Sequence, residues 1–225
     1  MKKIVICIIA VLLSMMCFCQ TWIGIDISRY QNKILWDTSI NFVFVKATEG
    51  INLRDKKFKS HWESVPTNIH KGAYHFFRPS KSGKSQADFF LRVANLRDNN
   101  LVPVIDVEPT RDHRRTKPKI GCRNLKEMIL QIQKKTGCTP IIYTSKSLWE
   151  RYYHSYFKDF NIGFLWVADY HSIDTPLVPC TWDSWTIWQW TQTGKIDGYN
   201  RCIDKSICRI DPECLTIYNN RQIVK

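Results

Sequence analysis

The stretch VPVIDVEPT, Val102 to Thr110, sets two carboxylates, Asp106 and Glu108, inside a run that is otherwise apolar and rich in Val and Ile. Such a run reads as a buried strand, where a carboxylate is costly unless it is paired or hydrogen-bonded. Side chains two apart on a strand share a face, roughly 6.5 Å apart along it. Asp106 and Glu108 therefore point one way, and Ile105 and Val107 the other. Two carboxyls held this close suit the cleavage of a glycosidic bond: one donates a proton to the leaving oxygen, while the other stays anionic and stabilises positive charge on the sugar. Burial and a neighbouring anion both raise a carboxyl pKa, so an Asp106 that is itself hydrogen-bonded helps to keep Glu108 protonated. Aromatic residues make up 13% of the chain, with nine Trp, enough to stack on sugar faces in a cleft and equally enough to fill a core.

The elements that must position such a pair follow from periodicity. Short apolar runs recur at WIGIDIS, NFVFVKA, KGAYHFF, LVPVIDVE, TPIIYTS, FLWVADY and WTIWQWT, with a weaker one at CIDKSI. Stretches of helical period lie between the early ones. Ala87, Phe90, Leu91 and Ala94 fall on one face, as do Leu125, Met128, Ile129 and Ile132, and further helices are expected across Phe58 to Val65 and Ser147 to Tyr156. Alternating strand and helix argues a parallel sheet, and the final third has strands with little helix between them. The expected fold is an irregular, TIM-like (β/α)5(β)3 barrel in a single domain, residues 21–225. In that architecture chemistry sits at the C-terminal ends of the strands, where Asp26 and Glu49 end or follow apolar runs of their own.

Residues 1–20 read separately, as a basic start and a short apolar run of the secretory-signal type, with cleavage expected between Cys17 and Thr21. Lipid attachment at Cys17 or Cys19 is the less favoured reading, because Met16 and Phe18 are large where a small residue is wanted. Export implies a secreted or periplasmic protein with no membrane insertion after cleavage. It also makes Cys122, Cys138, Cys180, Cys202, Cys208 and Cys214 an even set from which disulfides are expected. Their nearest spacing is six, which disfavours a metal site, and no cofactor is expected. Cys122 and Cys138 flank the expected helix Arg123 to Lys135, which spans roughly 20 Å. They should not pair with each other, and at least one bridge should reach the segment from Cys180 to Cys214. The formal charge of +13 draws the chain to acidic surfaces. Nucleic acid is disfavoured, since no motif for it is visible, and an acidic cell-wall polymer is the better partner for what is expected to be a monomer.

The ordered segments GIDISRYQ, FVFVKATEG, GAYHFFRP, VPVIDVE, PIIYTS, FLWVADY and IWQWTQTGKIDG resemble glycoside hydrolase family 25, the Chalaropsis-type lysozymes that cut peptidoglycan. Together they span Gly24 to about Asp204. The resemblance implies Glu108 as general acid/base, Asp106 as the group that stabilises charge at the anomeric centre or the acetamido nitrogen, and Asp26 as an active-site aspartate. It also implies a cleft lined by Tyr74, Lys46, Tyr143 and Trp166. The family's last acid aligns with Asp204 in CIDKSIC, with Asp211 in RIDPEC as the competing position. The implied reaction is hydrolysis of the β-1,4 bond between N-acetylmuramic acid and N-acetylglucosamine with net retention, through a substrate-assisted or a covalent intermediate. The rival readings are a noncatalytic wall-binding protein on the same fold and a hydrolase of another N-acetylated glycan such as chitin.

Overall fold

The computed structural model describes residues 21–223, so the expected signal segment, residues 1–20, lies outside the described residues. Nine strands form one sheet: β1 (Trp22–Ile27), β2 (Phe42–Glu49), β3 (Leu53–Arg54), β4 (His70–Phe76), β5 (Val104–Asp106), β6 (Ile141–Thr144), β7 (Leu165–Ala168), β8 (Ile187–Ile196) and β9 (Tyr199–Cys208). Their order is β1-β9-β8-β7-β6-β5-β4-β2-β3, and β1 also pairs with β2. That pairing closes eight strands into a barrel and leaves the two-residue β3 as a flap on β2. Successive barrel strands from β1 to β8 run parallel, and β9 is antiparallel to both β8 and β1. The barrel expected from the apolar runs is thus present, and a hairpin completes it. The turn is the two-residue Asp197–Gly198, with Gly198 at φ 75°, a conformation that costs glycine nothing.

Strand alternation sorts the apolar residues into two layers. Phe42, Phe44, Val102, Val104, Ile141, Trp166 and Ile187 pack inside the barrel. Ile25, Val43, Val45, Ile105, Val107 and Ile142 face outward, against the helices. The period-2 reading of VPVIDVE is therefore observed, with Ile105 and Val107 on the far side from Val104. The outer layer carries α1 (Phe58–Ser64), α2 (Gly83–Ala94), α3 (Arg111–Arg115), α4 (Pro118–Thr136), α5 (Lys146–Tyr152), α6 (His154–Phe157) and, after a 3-10 turn at Pro212–Leu215, α7 (Ile217–Ile223). Residues 28–41 and 169–186 connect strands without a helix. The C-terminal segment plugs the end of the barrel remote from the strands' C-termini, where Val102 N–H donates to Leu215 O at 2.8 Å.

Two expectations need correction. The helix drawn from Arg123 begins at Pro118, whose missing N–H is harmless at a helix start, so Cys122 lies within α4. The six cysteines at 122, 138, 180, 202, 208 and 214 carry free thiols. Burial explains part of this. Cys122 Sγ donates to Tyr152 O at 3.2 Å and Cys138 Sγ to Ile217 O at 3.3 Å, each inside its own part of the core. Cys180 Sγ instead lies 3.2 Å from Glu150 Oε1. Cys202 Sγ is 3.9 Å from Lys195 Nζ. The C-terminal segment is held by backbone hydrogen bonds and packing where bridges were expected.

The closest helix pair tests this packing. A Cβ added at Gly83 of α2 would fall 1.9 Å from Asn124 O and 2.7 Å from Met128 N, both backbone atoms of α4. Neither atom can rotate away. Gly83→Ala should therefore cost about 1–3 kcal/mol or more, read as a fall in Tm of roughly 4 °C or more for a domain of this size. An unchanged Tm would show that α2 and α4 are further apart than described.

Candidate active site

The C-terminal ends of the parallel strands surround a cavity of ≈290 Å3 whose lining includes Asp26, Lys46, Tyr74, Asp106, Glu108, Tyr143, Trp166 and Asp204. All eight site residues expected from the sequence thus come to one place from seven strands and from the exit of β5. Register explains how. Asp106 lies beside Tyr143 across β5–β6, Tyr143 beside Trp166 across β6–β7, and Lys46 beside Tyr74 across β2–β4. Asp26 lies directly opposite Asp204 across β1–β9. The competing Asp211 is exposed at the other end of the chain's last hairpin strand, where its Oδ1 accepts from Glu213 N–H at 2.9 Å and caps the 3-10 turn. It does not line the cavity.

Strand β5 gives out at Asp106, although Val107 N–H still donates to Tyr143 O at 2.9 Å. Pro109 follows Glu108 and has no N–H to continue a ladder. Glu108 is thereby left at the mouth, half-buried, while Asp106 is 3% exposed beneath it. Burial, then the charge of Glu108, pushes Asp106 well above the usual carboxylate range. Burial also raises Glu108, though the contact with Asp106 and the Lys46 ammonium pull it back. Both carboxyls are thus held towards the protonated form, with Asp106 the more enclosed of the two. An Asp106 stabilised by hydrogen bonds would help to keep Glu108 protonated, but Asp106 Oδ1 is buried without a partner.

The second acid pair is tuned differently. Burial and the facing Asp204 raise Asp26 strongly, while Gln189 Nε2–H, donating at 2.7 Å to Asp26 Oδ2, works the other way. Asp204 is pushed up to about 6 by burial and then by the charge of Glu108. Gln189 also accepts on Oε1 from Tyr143 OH at 2.7 Å and from Tyr170 OH. Its amide thus joins the acids to the aromatic wall. Burial raises both Tyr143 and Tyr170, the latter to about 12, so each hydroxyl stays protonated and available as a donor.

A bulge at Ala47 supplies the positive side. In a regular strand Lys46 and Glu49, three apart, would face opposite ways. The register slips between Lys46 and Thr48, and Lys46 Nζ reaches Glu49 Oε2 at 3.0 Å. Arg78 closes the same carboxylate from the other side through Nε at 3.1 Å and Nη2. Burial would raise Glu49, but the two cations outweigh it and hold the group below the usual range. Lys46 Nζ and Arg78 Cζ lie over the Phe76 ring at 4.4 and 5.1 Å. Trp166 is 2% exposed, donates Nε1–H to Ser206 Oγ at 3.1 Å and packs on Phe44 and Tyr143. It forms the floor of the cavity that it was expected to line.

Sequence reasoning missed Gln189, Tyr170, Tyr30 and Phe76, which also line the cavity. Gln189 left a signal, a lone amide within the apolar IWQW, whereas Tyr30 and Tyr170 lie in loops whose direction only the fold sets.

The raised acids make stability depend on pH. Asp204 binds its proton more tightly folded than unfolded, so its contribution is full below its ordinary value of 3.8 and is lost as pH rises through about 6. Asp204→Asn removes that loss and should make the protein more stable than wild type at pH 7 by on the order of 2 kcal/mol, with little difference at pH 3.5. Urea titrations at both pH values measure it, and equal stabilities at pH 7 would contradict the acid pair described above.

Set beside known proteins, the sequence profile of glycosyl hydrolases family 25 matches residues 25–199. Lysozyme M1 of Streptomyces globisporus is 31% identical over 195 residues, covering 81% of this chain and 66% of that protein. The crystal structure of the bacterial lysozyme from Streptomyces coelicolor superposes with a TM-score of 0.80 at 26% identity, covering 89% of this chain and 97% of the other. A family 25 glycosyl hydrolase from Bacillus anthracis gives a TM-score of 0.74 at 30% identity, over 83% of this chain and 88% of the other.

Proposed function

The chain belongs to glycosyl hydrolases family 25 and is a glycoside hydrolase of the lysozyme type, and from that premise we propose that it cuts the β-1,4 bond between N-acetylmuramic acid and N-acetylglucosamine in peptidoglycan. The observation that carries the reading is the stacked pair at the exit of β5, with Glu108 at the mouth and Asp106 beneath it with an unsatisfied oxygen. A buried acceptor without a donor is costly, and the N–H of a 2-acetamido group is a donor of the right kind. Bound there, it stabilises the anionic form of Asp106, so the shared proton moves to Glu108, where the leaving oxygen needs it. The same contact turns the acetamido oxygen towards the anomeric carbon.

The steps then follow. Glu108 protonates the glycosidic oxygen as the acetamido oxygen attacks the anomeric carbon, giving a bicyclic oxazolinium ion beside the Asp106 carboxylate. Water enters, Glu108 takes its proton, and the ring opens with net retention. A direct covalent carboxylate intermediate also gives retention, but Asp106 would then have to leave the floor that encloses it. Asp26 and Asp204, bridged by a shared proton, and the Tyr143 and Tyr170 hydroxyls hold the polar groups of the sugar. The Lys46–Glu49–Arg78 cluster supplies positive potential along one wall. The enzyme acts outside the cytoplasm, after export directed by residues 1–20, and needs no metal or other cofactor.

A wall-binding protein without catalysis would have no use for two separately tuned acid pairs, and a chitin hydrolase would accept a polymer free of muramic acid. Glu108→Gln should lower lysis of purified peptidoglycan by roughly hundreds-fold or more without lowering the Tm, and Asp106→Asn should remove most activity. Mass analysis of new reducing ends should find N-acetylmuramic acid. A folded Glu108→Gln protein with wild-type rates, or equal cutting of chitin, would defeat the assignment.

A further inference from the structure

Beyond the exit of β5 lies a second cavity, of ≈520 Å3, whose lining includes Arg111, Arg114, Arg151, His113, Leu148 and Tyr152. It is built from the loops that follow two adjacent barrel strands: α3 after β5 and α5 after β6. Only Pro109 and Thr110 separate Glu108 from Arg111, so the two lie at most about 11 Å apart along the chain. The cavity thus opens on the same face as the catalytic mouth and beside its general acid.

The chemistry of its lining is one-sided. Arg111, Arg114 and Arg151 are exposed, and none of them enters an ion pair among the described residues. No carboxylate lines the cavity. Asp112, the nearest acid in sequence, is turned away, its Oδ2 accepting from Ser80 Oγ at 2.8 Å. His113 has both ring nitrogens engaged, Nδ1 with Thr110 Oγ1 at 2.9 Å and Nε2 with Tyr153 OH at 2.7 Å. The Arg151 guanidinium lies 5.4 Å over the Tyr152 ring, which orders one fork. Three unneutralised guanidiniums around one hollow repel each other and favour an anion between them. Planar forks match the paired oxygens of carboxylates and phosphates.

We propose that this arginine-lined cavity binds the carboxylates of the peptide stem that hangs from the muramic acid lactyl group. The proposal rests on the muramidase reading, which puts an N-acetylmuramic acid at the Glu108 mouth. A stem of a few residues, at up to about 3.5 Å each, reaches from that sugar into the cavity. The stem carries several carboxylates, which complement a lining that holds three arginines and no carboxylate. The site would favour glycan strands that keep their peptides over strands from which an amidase has removed them.

The test compares wild type with Arg111→Gln/Arg114→Gln/Arg151→Gln on two soluble substrates, muropeptide chains with intact stems and the same chains after amidase treatment. The triple variant should show a KM raised about tenfold on stem-bearing chains, an unchanged kcat, and wild-type kinetics on stripped chains. Equal loss on both substrates, or no loss on either, overturns the proposal. In parallel, the free N-acetylated stem peptide is titrated into each protein by calorimetry. Binding to wild type that weakens about tenfold in the variant and with added salt supports the site even if neither glycan is cut, an outcome that would defeat only the muramidase reading. Wild-type protein that ignores the peptide, or binds oligomeric glycerol phosphate as tightly, refutes stem recognition.

Discussion

An ionised carboxylate taken out of water without a partner is strongly destabilising, and this barrel gathers Asp26, Asp106, Glu108 and Asp204 around one cavity. Full ionisation of all four would concentrate that penalty in the space of a single sugar. Much of the local architecture answers this constraint. The acids are grouped in twos, each two able to share a proton, and one member of each is more enclosed than the other: Asp106 more than Glu108, Asp26 more than Asp204. The enclosed member meets a drier environment than the mouthward one, so the two carboxyls of each pair are not equivalent. That is the asymmetry on which acid and base chemistry at one pH depends.

Holding the twos together requires departures from a regular barrel. Parallel strands present their C-terminal ends to the mouth, and the mid-strand acid beside Asp26 comes here from a strand running the other way. The β8–β9 hairpin provides one, and its register sets Asp204 opposite Asp26. The bulge at Ala47 does comparable work, bringing Glu49 to the side of Lys46 so that Lys46 is tethered and its charge is held at the wall. Gln189 then links the enclosed Asp26 to two tyrosines. Each departure is local, and each positions one polar group.

These departures also divide what the sequence reveals from what it conceals. Apolar runs and helical stripes announced the strands and the major helices because burial enforces their periods, and the two-residue step from Asp106 to Glu108 announced a shared face. Family resemblance pointed to Asp204, whereas spacing alone left Asp211 in contention; the choice depends on the β1–β9 register, which no local pattern encodes. The same holds for Gln189, for the bulge and for α3, a helix of five residues too short to show a period. The cysteines misled because an even count in an exported chain suggests bridges, but pairing needs geometry, and Cys122 and Cys138 each point into a separate part of the core.

Charge poses a further problem. The chain carries a formal +13, and its proposed substrate is polyanionic, yet four of the groups that line the mouth are acids. A mouth ionised throughout would repel the polymer that the rest of the surface attracts. Raised pKa values resolve the conflict: with each two sharing a proton and Lys46 alongside, the cavity approaches neutrality, and the surrounding basic surface governs the approach. The proton sharing that lowers the cost of folding therefore also admits the substrate. In the proposed reaction its 2-acetamido group then redistributes the proton between Asp106 and Glu108, so that binding itself arms the acid.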